Sequence, residues 1–227
     1  MPRISRLPPP PDVPPRSPPV AVKGEVEARI GGLEARVHVP QAPRRAVVIC
    51  HPHPLYGGSM HSPVPLSIAR VLAEARSEVT AWARFNFRGV GASAGTYDDG
   101  RGEVDDARAV IDHLRAVAPG VPVTVCGHSF GSWVGLRAAA LDGHVERVLL
   151  VSPSVRFFEF REEAFRFEAT KVIFLGDLDE YSDVEEGRAL AARLGAEFRV
   201  FEGFDHHFMQ SRRKMAEAAL PIVAPEV

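Results

Sequence analysis

From Val22 onward the hydrophobic and polar positions change rhythm along the chain. Over VKGEVEARI and LEARVHV, residues 22–39, they alternate on either side of Gly31-Gly32. That is the pattern of a half-exposed antiparallel strand pair at a sheet edge. Beyond it, short apolar runs rich in β-branched residues take turns with segments of helical period. AVVIC (46–50) predicts a buried strand and SIARVLAEAR (67–76) an amphipathic helix. VTAWARFNF (79–87) and VDDARAVIDHLRAV (104–117) repeat the pair, as do VPVTVC (121–126) and FGSWVGLRAAAL (130–141). RVLLVS, KVIFL and FRVFEG complete the strands, with helices expected near EEGRALAARLG and RRKMAEAALP.

Apolar strands alternating with helices predict an α/β fold: a mostly parallel central sheet covered by helices on both faces. Residues 22–227 are expected to form one such domain. In a sheet of this kind chemistry gathers in the loops beyond the carboxyl ends of the strands. Residues 1–21 carry so many prolines that a flexible, polyproline-like tail is expected there. Those first residues contain no apolar run of a secretory leader, and no later stretch is long enough to span a bilayer. The expectation is a soluble cytoplasmic protein without a membrane partner. Hydrophobic residues at 45%, charged residues at 25% and a formal charge of −2 suit a globular domain and argue against a dedicated nucleic-acid binder. Cys50 and Cys126 each end an apolar run, so both are expected to be packing residues, not a disulfide or reactive thiols.

Gly127-His128-Ser129-Phe130-Gly131 lies between the strand VPVTVC and the helix that follows it. Such a turn must be tight. It holds the serine in a strained conformation with its hydroxyl outward, at the positive end of a helix. Ser129 is therefore the candidate nucleophile, and the Phe130 N–H the first donor for an oxyanion. A serine needs a base, and a histidine base needs an orienting acid. In chain order after Ser129 come Gly176-Asp177-Leu178-Asp179-Glu180, beyond the strand KVIFL, and Asp205-His206-His207, beyond FRVFEG. Asp179 lies farther out than Asp177 and is favoured as the acid, with Asp177 expected to bind loop N–H groups. His206 is favoured over His207. The earlier loop Ser152-Pro153-Ser154-Val155-Arg156 offers no carboxylate.

The loop His51–Gly58 follows the strand AVVIC, where a second oxyanion donor is expected. Pro52 and Pro54 cannot donate, which leaves the backbone of His53, Leu55 or Tyr56. His51, His53, His61, His128, His206 and His207 could instead converge on a metal. No recognised metal spacing such as HExxH is present, so neither a metal nor another cofactor is expected. Arg88–Gly95 is rich in glycine but misses the dinucleotide spacing, and is expected to be a structural loop.

Taken together, these motifs resemble the α/β-hydrolase superfamily from residue 22 onward. They are most similar to a group of small bacterial members carrying HPHPxxGG, RFNFRGVGxSxG, GxSxG, GDxDE and a DH pair. Those motifs stand here at His51–Gly58, Arg84–Gly95, Gly127–Gly131, Gly176–Glu180 and Asp205–His206. The resemblance implies Ser129, Asp179 and His206 as a catalytic triad. His207 departs from it, since the similar proteins carry an aromatic residue there. The connection SPSVRFFEFREEAFRFEAT (152–170) is short where many relatives insert a helical lid. An open site for small carboxylic esters is expected, with Phe157, Phe158, Phe160, Phe165 and Phe167 either walling an acyl pocket or packing the loop. A thioesterase, acyltransferase or peptidase on the same triad, or a non-catalytic binding protein, would share these features.

Overall fold

The computed structural model describes residues 16–160 and 167–226. Most of the expected tail and Phe165 lie outside those residues. The edge hairpin is β1 (Val26–Ile30) and β2 (Leu33–His38). The remaining strands are β3 (Arg45–Cys50), β4 (Thr80–Phe85), β5 (Val123–His128), β6 (Arg147–Val151), β7 (Thr170–Gly176) and β8 (Glu197–Phe201). They form one sheet in the order β1-β2-β4-β3-β5-β6-β7-β8. The pairings β1–β2 and β2–β4 are antiparallel and all others parallel. The chain moves outward from β3 in opposite directions to β4 and β5, so the crevice beyond their ends is the topological switch point.

Helices α1 (Pro63–Ala75) and α5 (Arg212–Val223) cover one face; α2 (Arg101–Val117), α3 (Phe130–Asp142) and α4 (Val184–Leu194) cover the other. The strands supply both cores by strict alternation. Val47 and Ile49 face α1 and α5, while Ala46, Val48 and Cys50 face α2 and α3. Because both sets are apolar, the alternation leaves no polar rhythm in the sequence. Cys50 and Cys126 are free, fully buried and on opposite faces, and burial pushes both thiols above their ordinary pKa.

Some elements end differently from the sequence expectation. The fourth strand, expected through Phe87, stops at Phe85, because Asn86 and Phe87 turn toward the His51 loop and the segment after it. Helix α2 begins three residues before Val104, where the Glu103 carboxylate accepts hydrogen bonds from the N–H groups of Asp98 and Gly100. Helix α5 runs past Pro221 to Val223.

Val20, within the segment 1–21 expected as a tail, is bonded to the domain. The Val20 N–H donates to His61 Nδ1 at 3.1 Å, and its carbonyl accepts from Arg84. Arg84 is a charge inside a strand whose six residues are all buried. Its guanidinium pairs with Glu25 through Nε–Oε1 at 2.8 Å and Nη2–Oε2 at 2.6 Å, both side chains being wholly buried. Trp82 Nε1 and the Val22 N–H also donate to Glu25. Removing one member would strand the other charge in the interior. Glu25→Ala should therefore destabilise the fold by about 3–5 kcal/mol. Glu25→Ala combined with Arg84→Met should recover much of that loss. Urea unfolding of the two variants is the check, and a single variant as stable as the parent would remove the pair from any structural role.

Candidate active site

The carboxyl ends of β3, β5, β7 and β8 converge on one cavity of about 450 Å³. Ser129 stands alone between β5 and α3 with φ 56° and ψ −119°. This is a conformation that residues with a Cβ avoid. Its flanking glycines are a steric necessity. A Cβ on Gly127 would lie 2.1 Å from the Gly131 carbonyl oxygen, and one on Gly131 would lie 2.5 Å from the oxygens of Cys50 and His51. The turn is pinned from below, where Ser132 Oγ donates to the carbonyls of Gly127 and Val151. Phe130, as the first residue of α3, has an N–H with no acceptor inside its own helix.

Asp179 and His206 come together as the sequence expected. His206 Nδ1 meets Asp179 Oδ2 at 2.8 Å, with both side chains buried. The other carboxylate oxygen accepts from the Tyr181 N–H at 2.8 Å. Asp177 lies apart, its carboxylate accepting from the Gly203 N–H at 2.6 Å, which is the loop role foreseen for it. Ser129, His128, His206 and His207 all line the cavity. Tyr181 packs edge-on against the His206 ring, with centroids 4.6 Å apart.

The His51 loop separates its candidates. Residues Pro54–Tyr56 form a single 3-10 turn in which the Leu55 N–H donates to His53 Nδ1 and the Tyr56 N–H to the His53 carbonyl. Both N–H groups are spent inside the turn, so Leu55 and Tyr56 are corrected from oxyanion donors to scaffold. His53 is left as the backbone candidate.

The supposed convergence of histidines also divides. The Phe87 N–H donates to His51 Nε2, so His51 is neutral and donates from Nδ1 to the Pro52 carbonyl. Burial holds its pKa down to about 3. His53 accepts at Nδ1 and therefore donates from Nε2 to Tyr97 Oη, with burial lowering it to about 4. His61 Nδ1 is occupied by Val20 and Arg84. These rings are structural. Among the described residues, His128, His206 and His207 are the histidines that do cluster.

Ser154 is the residue that sequence reading missed. Its buried hydroxyl lies 3.1 Å from Ser129 Oγ. A serine in a Pro-Ser loop carries no signal comparable to a carboxylate there. Ser182 secures the loop, accepting from the Val155 N–H and donating to the Pro153 carbonyl. The phenylalanines of this connection divide between the two expected roles. Phe157 and Phe158 line the cavity, Phe158 also stacking on Trp133 with centroids 5.2 Å apart. Phe160 is buried and Phe167 packs on the core. Arg88–Gly95 is a structural loop, held by Arg88 on Asp106 and by Asn86 and Ala92 on Glu34. No helix among the described residues is long and apolar enough to cross a membrane.

The family model of the serine aminopeptidases, S33, matches residues 41–160, more than half of the chain. An uncharacterised protein of Rickettsia prowazekii is 30% identical over 202 residues, covering 85% of this chain and 83% of its own. A serine hydrolase without a lid from Xanthomonas campestris superposes with a TM-score of 0.77 at 29% identity, over 89% of this chain and 95% of its own. An α/β serine hydrolase homologue from Coxiella burnetii gives 0.78 at 30% identity, over 91% and 100%. The chain belongs to the serine aminopeptidase S33 family and has the fold of the lidless α/β serine hydrolases.

Proposed function

We propose that this hydrolase cleaves small carboxylic esters by acyl transfer through Ser129, His206 and Asp179. The observation that carries the reading is the buried Asp179–His206 hydrogen bond opening onto the same cavity as the strained Ser129. With its Nδ1 proton donated to Asp179, His206 keeps a lone pair on Nε2 to take the Ser129 proton. Ser129 Oγ then adds to the ester carbonyl. The Phe130 and His53 N–H groups hold the oxyanion. The imidazolium returns its proton to the departing alcohol, leaving an acyl-serine. Water, deprotonated by His206, adds to that acyl group and releases the acid. Ser154 holds the resting hydroxyl of Ser129 and hands it over as His206 takes the proton.

The family description raises an aminopeptidase as the second reading. Such an enzyme must hold the free ammonium of a peptide, and a carboxylate is the natural partner. None lines this cavity among the described residues; its walls include Pro52, Tyr56, Val64, Phe157, Phe158 and Met209. Apolar walls around a few polar groups suit an uncharged acyl chain. With 4-nitrophenyl esters, kcat/KM for acetyl and butyryl groups should exceed that for palmitoyl by about tenfold or more, since no lid among the described residues covers a long chain. An optimum on long chains, or faster cleavage of aminoacyl anilides, would move the assignment to a lipase-like or peptidase activity.

A further inference from the structure

One ring nitrogen from each of His128, His206 and His207 lies within 4.8 Å of the other two. The rings are in mutual contact, with centroids 5.1 Å apart for His128–His206, 5.7 Å for His128–His207 and 5.0 Å for His206–His207. His128 is unusual among them. Its Nε2 lies 3.0 Å from the His206 carbonyl, a contact that only an N–H can make, so the lone pair sits on Nδ1. That Nδ1 is buried and has no hydrogen-bond partner. Buried polar atoms are seldom left so, and each one calls for a reason. His206 is fixed in the same sense: Nδ1 faces Asp179, and Nε2 carries the lone pair. His207 is exposed, so its ring can turn toward the other two.

We infer that these histidines bind one borderline divalent cation, Zn²⁺ above all, and that the bound ion shuts the enzyme down. Neutral imidazole nitrogens are what such cations prefer, and a three-histidine set leaves a fourth position for water. Water takes that fourth position, and Ser129 is no ligand. Metal-bound histidines commonly rest their other nitrogen on a carboxylate or a carbonyl. Here His206 rests on Asp179 and His128 on the His206 carbonyl. Tetrahedral zinc bonds of about 2.0–2.1 Å put nitrogens about 3.3 Å apart. The cluster therefore has to tighten, and the exposed His207 ring is the one that moves. Zinc on His206 Nε2 occupies the lone pair that would accept the serine proton, which makes the ion an inhibitor.

The test titrates ZnCl₂ into the full chain, freed of any histidine tag and of chelators, by calorimetry, with Co²⁺ absorption reporting the coordination. One equivalent should bind with a micromolar Kd or tighter. His207→Asn, a change at the surface, should weaken binding by about tenfold or more, whereas Ser129→Ala should leave it unchanged. His128→Asn, with its folding checked by circular dichroism, should weaken it as well. Ester cleavage should fall as zinc is added and return with EDTA. No binding below about 100 μM, or equal affinity in the parent and His207→Asn, would overturn the site. The binding readout does not depend on ester turnover: a chain that cleaves no ester yet loses zinc on His207→Asn would refute the proposed activity and keep the metal site.

Discussion

Replacing Ser129 with alanine should lower kcat for ester cleavage by about 10⁵–10⁶-fold, the scale on which losing a triad nucleophile acts. What survives is background catalysis by the oxyanion donors and by substrate binding. The parent protein should show a burst of 4-nitrophenol on mixing with 4-nitrophenyl acetate and form a fluorophosphonate adduct on Ser129. Both should vanish in Ser129→Ala. A variant retaining more than about a hundredth of the rate, or an adduct on another residue, would end the acyl-enzyme reading. The same position makes a second measurement possible. Ser129 sits at φ 56° with a Cβ, and alanine keeps that strain while glycine removes it. Ser129→Gly should be as inactive as Ser129→Ala yet more stable by about 1–2 kcal/mol. For a domain of this length that raises Tm by about 2–4 °C per kcal/mol. Equal melting temperatures for the two variants would mean that the turn stores no strain to hold the serine outward.

The tight turn around Ser129, the chain order of the acid and histidine after strand ends, and the sheet class were legible, because each is marked by a local pattern of residue types. Gly131 is required by the distant carbonyls of Cys50 and His51 at the end of β3. Gly127, by contrast, is required by the Gly131 carbonyl four positions on, so its spacing from Ser129 reports the turn directly. Alternation in β2 reports its half-exposed face in the same way. What stayed hidden depended on long-range pairing. Glu25 and Arg84 bond across 59 positions, and nothing near Glu25 distinguishes it from a solvent-facing charge on an edge hairpin. Arg84 did carry a signal, a cation within an apolar strand, and its meaning needed the partner. The choice among His53, Leu55 and Tyr56 rested on which N–H groups the 3-10 turn consumes, and that is a matter of local geometry beneath residue type. Ser154 was invisible because a hydroxyl in a Pro-Ser loop is ordinary until Ser129 is placed 3.1 Å from it.

Asp179→Asn should reduce kcat by about 10⁴-fold while the protein remains folded. The reason lies in the tautomer. Asp179 Oδ2 accepts the Nδ1 proton of His206, which fixes the lone pair on Nε2. An asparagine can present its NH₂ group to Nδ1 instead, driving the imidazole proton onto Nε2, where it blocks uptake of the serine proton. The loss then comes from a misplaced hydrogen, and substrate binding should change little. KM should accordingly stay within a few-fold of the parent, about threefold, while kcat collapses. The Tyr181 N–H can still donate to the asparagine oxygen, so the loop keeps its anchor. Asp177→Asn is the matched control. Its carboxylate accepts from Gly203 in an exposed loop, and an amide oxygen can take over that bond. Its kcat should stay within about twofold of the parent, since surface changes of this kind seldom exceed about 0.5 kcal/mol. The reverse result, collapse in Asp177→Asn and survival in Asp179→Asn, would require the loop after β7 to rearrange in the working enzyme. The 2.8 Å contact between Asp179 and His206 would then be a resting arrangement, broken before His206 can take the serine proton.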